Sequence, residues 1–280
     1  MSSQPFAPVS AEELGKALAI LREVHQDEKL AFATAGLCEP SKSAVKSGEK
    51  QPRIIRFQGS DSAPDGGFEA DIDVTAGTLK SLTRIDSRAQ GSYNFLELFG
   101  AVHLTKSNEE WLTAIKSRGI ACETEEDLAL IQIDPWPAGG YAHGSIPSGH
   151  RAVRCIAFLR EDATDNGYAR PIQGLIAHID MTSGQVTHIE DTGIVPLPPN
   201  PGRFDTPHLE SVREGLNEIA ITQPDGPSFE VDGYRVRWQG WQFDVSVHHV
   251  QGLVLHQLSL DGRSILYRAA LSDMIVPYGD

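Results

Sequence analysis

Imidazole can ligate a metal or move a proton near neutral pH, so the histidines are the first residues to test for chemistry. The closest pair, His248-His249, sits in a strand-like run. Neighbours on a strand point to opposite faces, which keeps the two rings from sharing an ion. His178 and His188 flank a hairpin and are expected as cross-strand neighbours that pack together. His143 and His150 fall in the Gly-rich loop 138–150, the stretch best suited to a functional loop. Asp205 and His208 follow a proline run and read as turn and cap rather than an acid–base pair. Nucleophile and phosphate motifs are missing: there is no Gly-x-Ser-x-Gly elbow, no Walker loop and no Gly-x-Gly-x-x-Gly. Cys38, Cys122 and Cys155 have neither metal spacing nor an even disulfide count, and Cys38 and Cys155 read as small buried hydrophobes. Taken residue by residue, the chain looks non-catalytic.

Elements must position whatever function there is. The 280 residues are 40% hydrophobic and 22% charged, enough for a real core and roughly two domains, with three small ones allowed. A net charge of −14 argues against nucleic acid and anionic membranes as partners. No run reaches the roughly 18 apolar residues of a membrane span, and Met-Ser-Ser-Gln-Pro-Phe6 lacks a secretory pattern. A reducing, cytoplasmic setting is the simplest expectation.

Ser10-Ala-Glu-Glu13 is a capping box that opens a helix over 11–25, with Leu14, Leu18, Leu21 and Val24 on one face. Strands are expected at 30–37 and 53–58, with a mobile polar loop over 39–51 between them. A hairpin follows over 68–85, turning at Thr75-Ala-Gly77. The order then repeats. Ser107-Asn-Glu-Glu110 reads as a second capping box, with Trp111, Leu112 and Ile115 on one face and Gly119 as the stop. Strands at 129–133 and 152–160 and a hairpin over 174–190 complete the second unit. Asp73-Val-Thr-Ala-Gly77-Thr-Leu79 aligns with Asp180-Met-Thr-Ser-Gly184-Gln-Val186, which suggests a duplicated α+β domain. Pro196-Leu-Pro-Pro-Asn-Pro-Gly202 is a stiff linker. Beyond it, period-two strands separated by Asp-Gly turns describe an antiparallel sheet, with Phe243, Val245 and Val247 as the apolar face. Hydrophobic strand faces are also expected at Leu253–Leu258 and Met274–Val276. Such a sheet ending at Pro277-Tyr-Gly-Asp280 leaves an edge that wants a partner, so a further portion is expected.

Residues 219–280 resemble the opening of the catalytic domain of the copper-containing primary amine oxidases. The resemblance is carried by Thr222-Gln-Pro-Asp-Gly-Pro-Ser-Phe229, Trp238 through Val245, Gly252-Leu-Val-Leu-His256 and Arg268-Ala-Ala-Leu-Ser-Asp-Met-Ile-Val-Pro-Tyr-Gly-Asp280. Upstream, Pro171 to Asp180 and Val186 to Pro196 resemble the family's second small N-terminal domain, and the likeness covers 8–280. It implies an α+β chain of two duplicated small domains, a helix packed on an antiparallel sheet in each, followed by the first strands of a large antiparallel β-sandwich. The divisions are 8–92, 93–195 and 196–280. It also implies a homodimer that oxidises primary amines to aldehydes and releases ammonia and hydrogen peroxide, using copper held by three histidines, topaquinone, and an aspartate base.

The family's quinone tyrosine lies in Asn-Tyr-Asp/Glu and two of its copper ligands in His-x-His. Neither motif occurs here; Ser92-Tyr-Asn94 is the nearest approach, and Asp280 belongs to a turn. No catalytic or metal residue is therefore carried over. Those groups are expected on the remaining catalytic portion, from the same gene or a second chain. The second small domain lines the amine entry channel in bacterial members, which implicates Phe99, Trp136 and Tyr168 as channel aromatics. An apolar passage with π faces tolerates cations. The contrasting reading is a non-catalytic binding module of duplicated α+β domains.

Overall fold

The computed structural model describes residues 4–28, 30–61, 67–86, 91–203, 205–209, 211 and 213–277; Tyr278-Gly-Asp280 of the last motif lies outside them. Contacts group the chain into two compact units, 1–92 with 219–280 and 93–218.

In the first unit, helix α1 (Ala11–Val24) starts as expected: Glu13 N–H donates to Ser10 Oγ at 3.1 Å, and Ser10 N–H to Glu13 Oε2 at 2.9 Å. Glu13 has a second task, since the Arg53 guanidinium donates to both of its oxygens. β1 (Ala31–Cys38) is followed by a short helix α2 (Lys42–Ser47), where a mobile loop was expected. Ser41 caps its start and Gly48, at φ 72°, ends it, so turn residues scattered through 39–51 are the caps of one helical turn. β2 (Ile54–Ser60), β3 (Gly67–Asp73) and β4 (Thr78–Arg84) complete an antiparallel meander β1-β2-β3-β4. In β3 the pleat sends Phe68, Ala70 and Ile72 inward against Ala17 and Leu21 of α1. Burying each large side chain of this cluster contributes about 1.5–3 kcal/mol.

The second unit repeats the plan with more helix. α3 (Phe95–Lys106) was not anticipated; Asn94, from the Ser-Tyr-Asn stretch, is its cap, in a reciprocal bond with Glu97. The cap of α4 (Glu109–Ser117) is Asn108 rather than Ser107, because it is Asn108 Oδ1 that accepts from Trp111 N–H. Gly119 follows at φ 71°, in the left-handed region a helix stop requires. α5 (Glu125–Leu130) occupies the start of the run expected as strand, and β5 (Ile131–Pro137) begins only after it. A three-residue acidic first turn behind Thr124 favours the helix. β6 (Ala152–Leu159), β7 (Pro171–Asp180) and β8 (Gln185–Asp191) give a second meander, β5-β6-β7-β8. Trp111 and Ile115 are fully buried against Ile131, Val153, Cys155 and Ala177.

The seven-residue internal match has a structural counterpart. Asp73 Oδ1 accepts from the N–H groups of Thr75 and Ala76, and Asp180 Oδ1 from those of Thr182 and Ser183. Gly77 (φ 74°) and Gly184 (φ 70°) each donate to the aspartate's own carbonyl at 2.8 Å. The two hairpins thus turn by the same hydrogen bonds.

The remaining strands belong to the first unit: β9 (Glu230–Asp232), β10 (Arg235–Trp238), β11 (Trp241–His248), β12 (Gly252–Leu260) and β13 (Arg263–Ala270) pair in sequence order. Gln239-Gly240 and Asp261-Gly262 turn with positive φ at both positions, the geometry that suits strand twist. The expected facing of β11 is inverted. Asp244 is buried and Val247 is 74% exposed, because Arg235 clamps both Asp244 oxygens while Ser246 Oγ bonds His256 Nε2 at 2.8 Å. Satisfied polar groups can occupy the inward face that apolar patterning assigns elsewhere. Residues 271–277 are not strand, so Met274–Val276 form no strand face, and in β12 Leu253 is exposed while Val254 and His256 are buried.

Candidate functional site

Strand parity sorts the aromatics of the second unit. Cys155 points to the helices, with its thiol on the Ala101 carbonyl of α3, so Arg154 and Ile156 point to the other face of β6. Trp136 pairs with Arg154 and Asp134 with Ile156, which puts Trp136 and Asp134 on that same helix-free face. Tyr168 joins them. It sits in a 3₁₀ turn (Gly167–Ala169), its ring edge-on to Phe158 at 4.9 Å, with the Asp134 carboxylate near its hydroxyl. That carboxylate pushes the Tyr168 phenol above its ordinary range. Trp136 and Tyr168 are each 59% exposed. Phe99 stands apart, on α3 in the layer covering the opposite face, exposed and 6.3 Å from Phe95. The fold therefore brings two of the three candidate channel aromatics to one face and leaves Phe99 on the other side of the sheet.

The same face carries histidines. Arg154 pairs with His178 and His178 with His188, so Trp136, Arg154, His178 and His188 form one row across four strands. His178 Nε2 meets Glu190 Oε2 at 3.0 Å. Loop 138–150 then places His143 flat on His188, ring centroids 4.0 Å apart and 12° from parallel, and 5.1 Å from His178. Cross-strand packing of His178 and His188 was legible in the hairpin. The return of His143 over them was not, since nothing in a loop sequence encodes its closure. Burial lowers the His178 pKa, partly offset by Glu190.

The first unit holds a second imidazole group. The chain turns after His248, which brings the His248 and His249 rings to 4.2 Å rather than to opposite faces. His256, fully buried, stacks on Phe6 at 4.0 Å. A cavity of about 190 Å³ lies among Phe6, Leu37, Glu39, His249 and His256. Its size suits a few waters. Cys38 is half-buried and donates to Asp71, and that burial and carboxylate push its thiol up to about 11. Asp205 and His208 pair at 3.0 Å in an exposed 3₁₀ turn.

Among the described residues no three His, Cys, Asp or Glu side chains converge as a metal site. His143 and His188 stack nearly parallel, which directs their lone pairs side by side rather than at one ion. These residues do not fit a copper centre.

The family profile described as "Copper amine oxidase, enzyme domain" matches residues 230–280, a stretch that includes β9 to β13. The chain is 34% identical over 283 positions to a primary amine oxidase of Arthrobacter sp. (strain P1), covering 99% of this chain and 43% of that protein. It is 32% identical to a histamine oxidase of Arthrobacter globiformis, over 100% of this chain and 41% of the relative. The chain matches the N-terminal part of the copper-containing primary amine oxidases. Among solved structures, a copper-containing benzylamine oxidase from Hansenula polymorpha shares the fold, with a TM-score of 0.76 at 17% identity, over 95% of this chain and 44% of that one. The chain thus spans about two fifths of the length of the amine oxidases it matches. Copper amine oxidases use copper and topaquinone.

Proposed function

We propose that this chain is the N-terminal portion of a primary amine oxidase, an enzyme that converts a primary amine to an aldehyde with release of ammonia and hydrogen peroxide. The observation that carries this reading is the alignment of 99% of the chain with a primary amine oxidase, joined to the enzyme-domain match over 230–280. Copper and topaquinone would supply the oxidation. The groups that hold and use them would come from the remaining catalytic portion, in the same polypeptide or a second one, and the complete enzyme would work as a homodimer. The contrasting reading, a binding module of duplicated α+β domains, is weakened by the same 230–280 match, since a module has no need of an enzyme domain's strands.

The chain's own contribution is scaffold and approach surface. On the helix-free face of the second sheet, Trp136 and Tyr168 offer π faces beside the Asp134 carboxylate, a combination that favours an ammonium over an anion. Phe99 would serve the amine path from the helix layer. In the complete enzyme, Trp136→Ala and Tyr168→Ala are predicted to shift the kcat/KM ratio between bulky arylalkylamines and methylamine on the order of tenfold. Unchanged ratios would remove the wall role, and a complete assembly that releases no amine-dependent peroxide would remove the enzyme reading.

A further inference from the structure

We propose that the proline strap 196–203 positions Tyr168, and that Asp165, Gly202 and Arg203 thereby set amine selectivity without touching the amine. The proposal rests on the reading of Tyr168 as a wall of the amine path.

Two close contacts hold the turn that presents Tyr168. Residues 160–170 join β6 to β7, and Tyr168 sits in the 3₁₀ turn within them. Gly167 meets the sheet: it is buried, and a Cβ built on it would lie 2.9 Å from Gln132 Oε1 and 3.3 Å from Phe158 Cβ. Gly202 meets the turn from the strap. A Cβ built there would lie 2.7 Å from the Asn166 carbonyl oxygen and 2.9 Å from Ala169 Cβ. Neither contact admits a methyl group, so a side chain at Gly202 would have to displace backbone of the turn itself.

Polar groups tie the same parts together. Asp165 is 6% exposed; its Oδ2 accepts from the Glu161 N–H at 2.8 Å and its Oδ1 from the Gly202 N–H at 3.2 Å. One buried carboxylate thus closes the loop on itself and onto the strap, and leaving such a group short of a donor is costly. Arg203 donates to Glu161, Asp162 and Thr164 of the loop, and to His208 Nε2 at 3.1 Å. Asn166 Oδ1 carries the constraint to Tyr168 by accepting its N–H at 3.2 Å. The strap loses little freedom on docking, because Pro196, Pro198, Pro199 and Pro201 have fixed φ. Leu197 anchors it against the core of this unit.

Selectivity in the complete enzyme tests this, read as the kcat/KM ratio between 2-phenylethylamine and methylamine. Gly202→Ala is predicted to move the ratio about threefold or more in the direction of Tyr168→Ala, with kcat for methylamine within about twofold of wild type. Arg203→Gln introduces no clash and should move the ratio the same way by a smaller factor, so it carries the test if Gly202→Ala does not assemble. Gly202→Ala combined with Tyr168→Ala should add nothing to Tyr168→Ala alone, because the side chain being positioned is already gone. Hydrogen exchange at the amides of 168–170 should quicken about tenfold in both strap variants while amides of β6 hold steady. Additive ratios in the double variant, unchanged exchange, or an unchanged ratio in both strap variants beside a shifted Tyr168→Ala would each overturn the proposal alone. An unchanged ratio in Tyr168→Ala itself would overturn the wall reading, and the proposal with it.

Discussion

At Gly36 a side chain is excluded by a single neighbour. A Cβ built there would lie 1.9 Å from His249 Nδ1, so the imidazole occupies the space that any other residue on β1 would fill. Beside it, Arg268 of β13 donates to both oxygens of Glu39 at 2.7 and 2.9 Å, and Phe6 covers His256. These contacts couple the small sheet to the five-stranded one within the first unit. Gly36→Ala is predicted to destabilise this unit by about 1–3 kcal/mol, the usual cost of overpacking. His249→Ala in the same chain should recover most of that loss. Denaturant titration of the two single variants and the double variant checks this, and additive losses would show that the close approach is not the cause.

At the scale of elements, the two aspartate-led turns carry unequal loads. Both use the carboxylate to satisfy two turn amides, but Asp180 also accepts from Ser183 Oγ and pairs with His150, and it is buried. Asp73→Ala should cost about 1 kcal/mol and Asp180→Ala about 2–3 kcal/mol, since the latter leaves buried partners unsatisfied. Equal losses in thermal melts would contradict this account. These hairpins were legible because a turn is a local code, written in an aspartate, a glycine and alternation on either side. So was α1, whose capping box lies within four residues. Less local features were not. The α3 helix escaped notice because Phe95, Leu96 and Phe99 stay exposed, so its apolar residues follow no single buried stripe. The facing of β11 was inverted by the Arg235–Asp244 ion pair, which lets a charge sit inside. The candidate site was legible as residues but not as an arrangement. Trp136 and Tyr168 share a face only through sheet register, and His143 reaches His178 and His188 only through loop closure.

For the molecule as a whole, the account rests on a long alignment and on chemistry found elsewhere in the family. The chain matches amine oxidases from end to end of its own length but covers about two fifths of theirs, and no His-x-His or Asn-Tyr-Asp/Glu occurs in it. The central claim is that this sequence works as part of a quinone-bearing enzyme. The direct measurement is a denaturing gel of the protein purified from its native source, stained for redox-active quinone, with each band assigned by mass and peptide sequencing. The account predicts a quinone-staining polypeptide that either contains this sequence or co-purifies with it, together with amine-dependent peroxide release. A preparation in which this sequence is present without any quinone-staining partner and without peroxide release would contradict it.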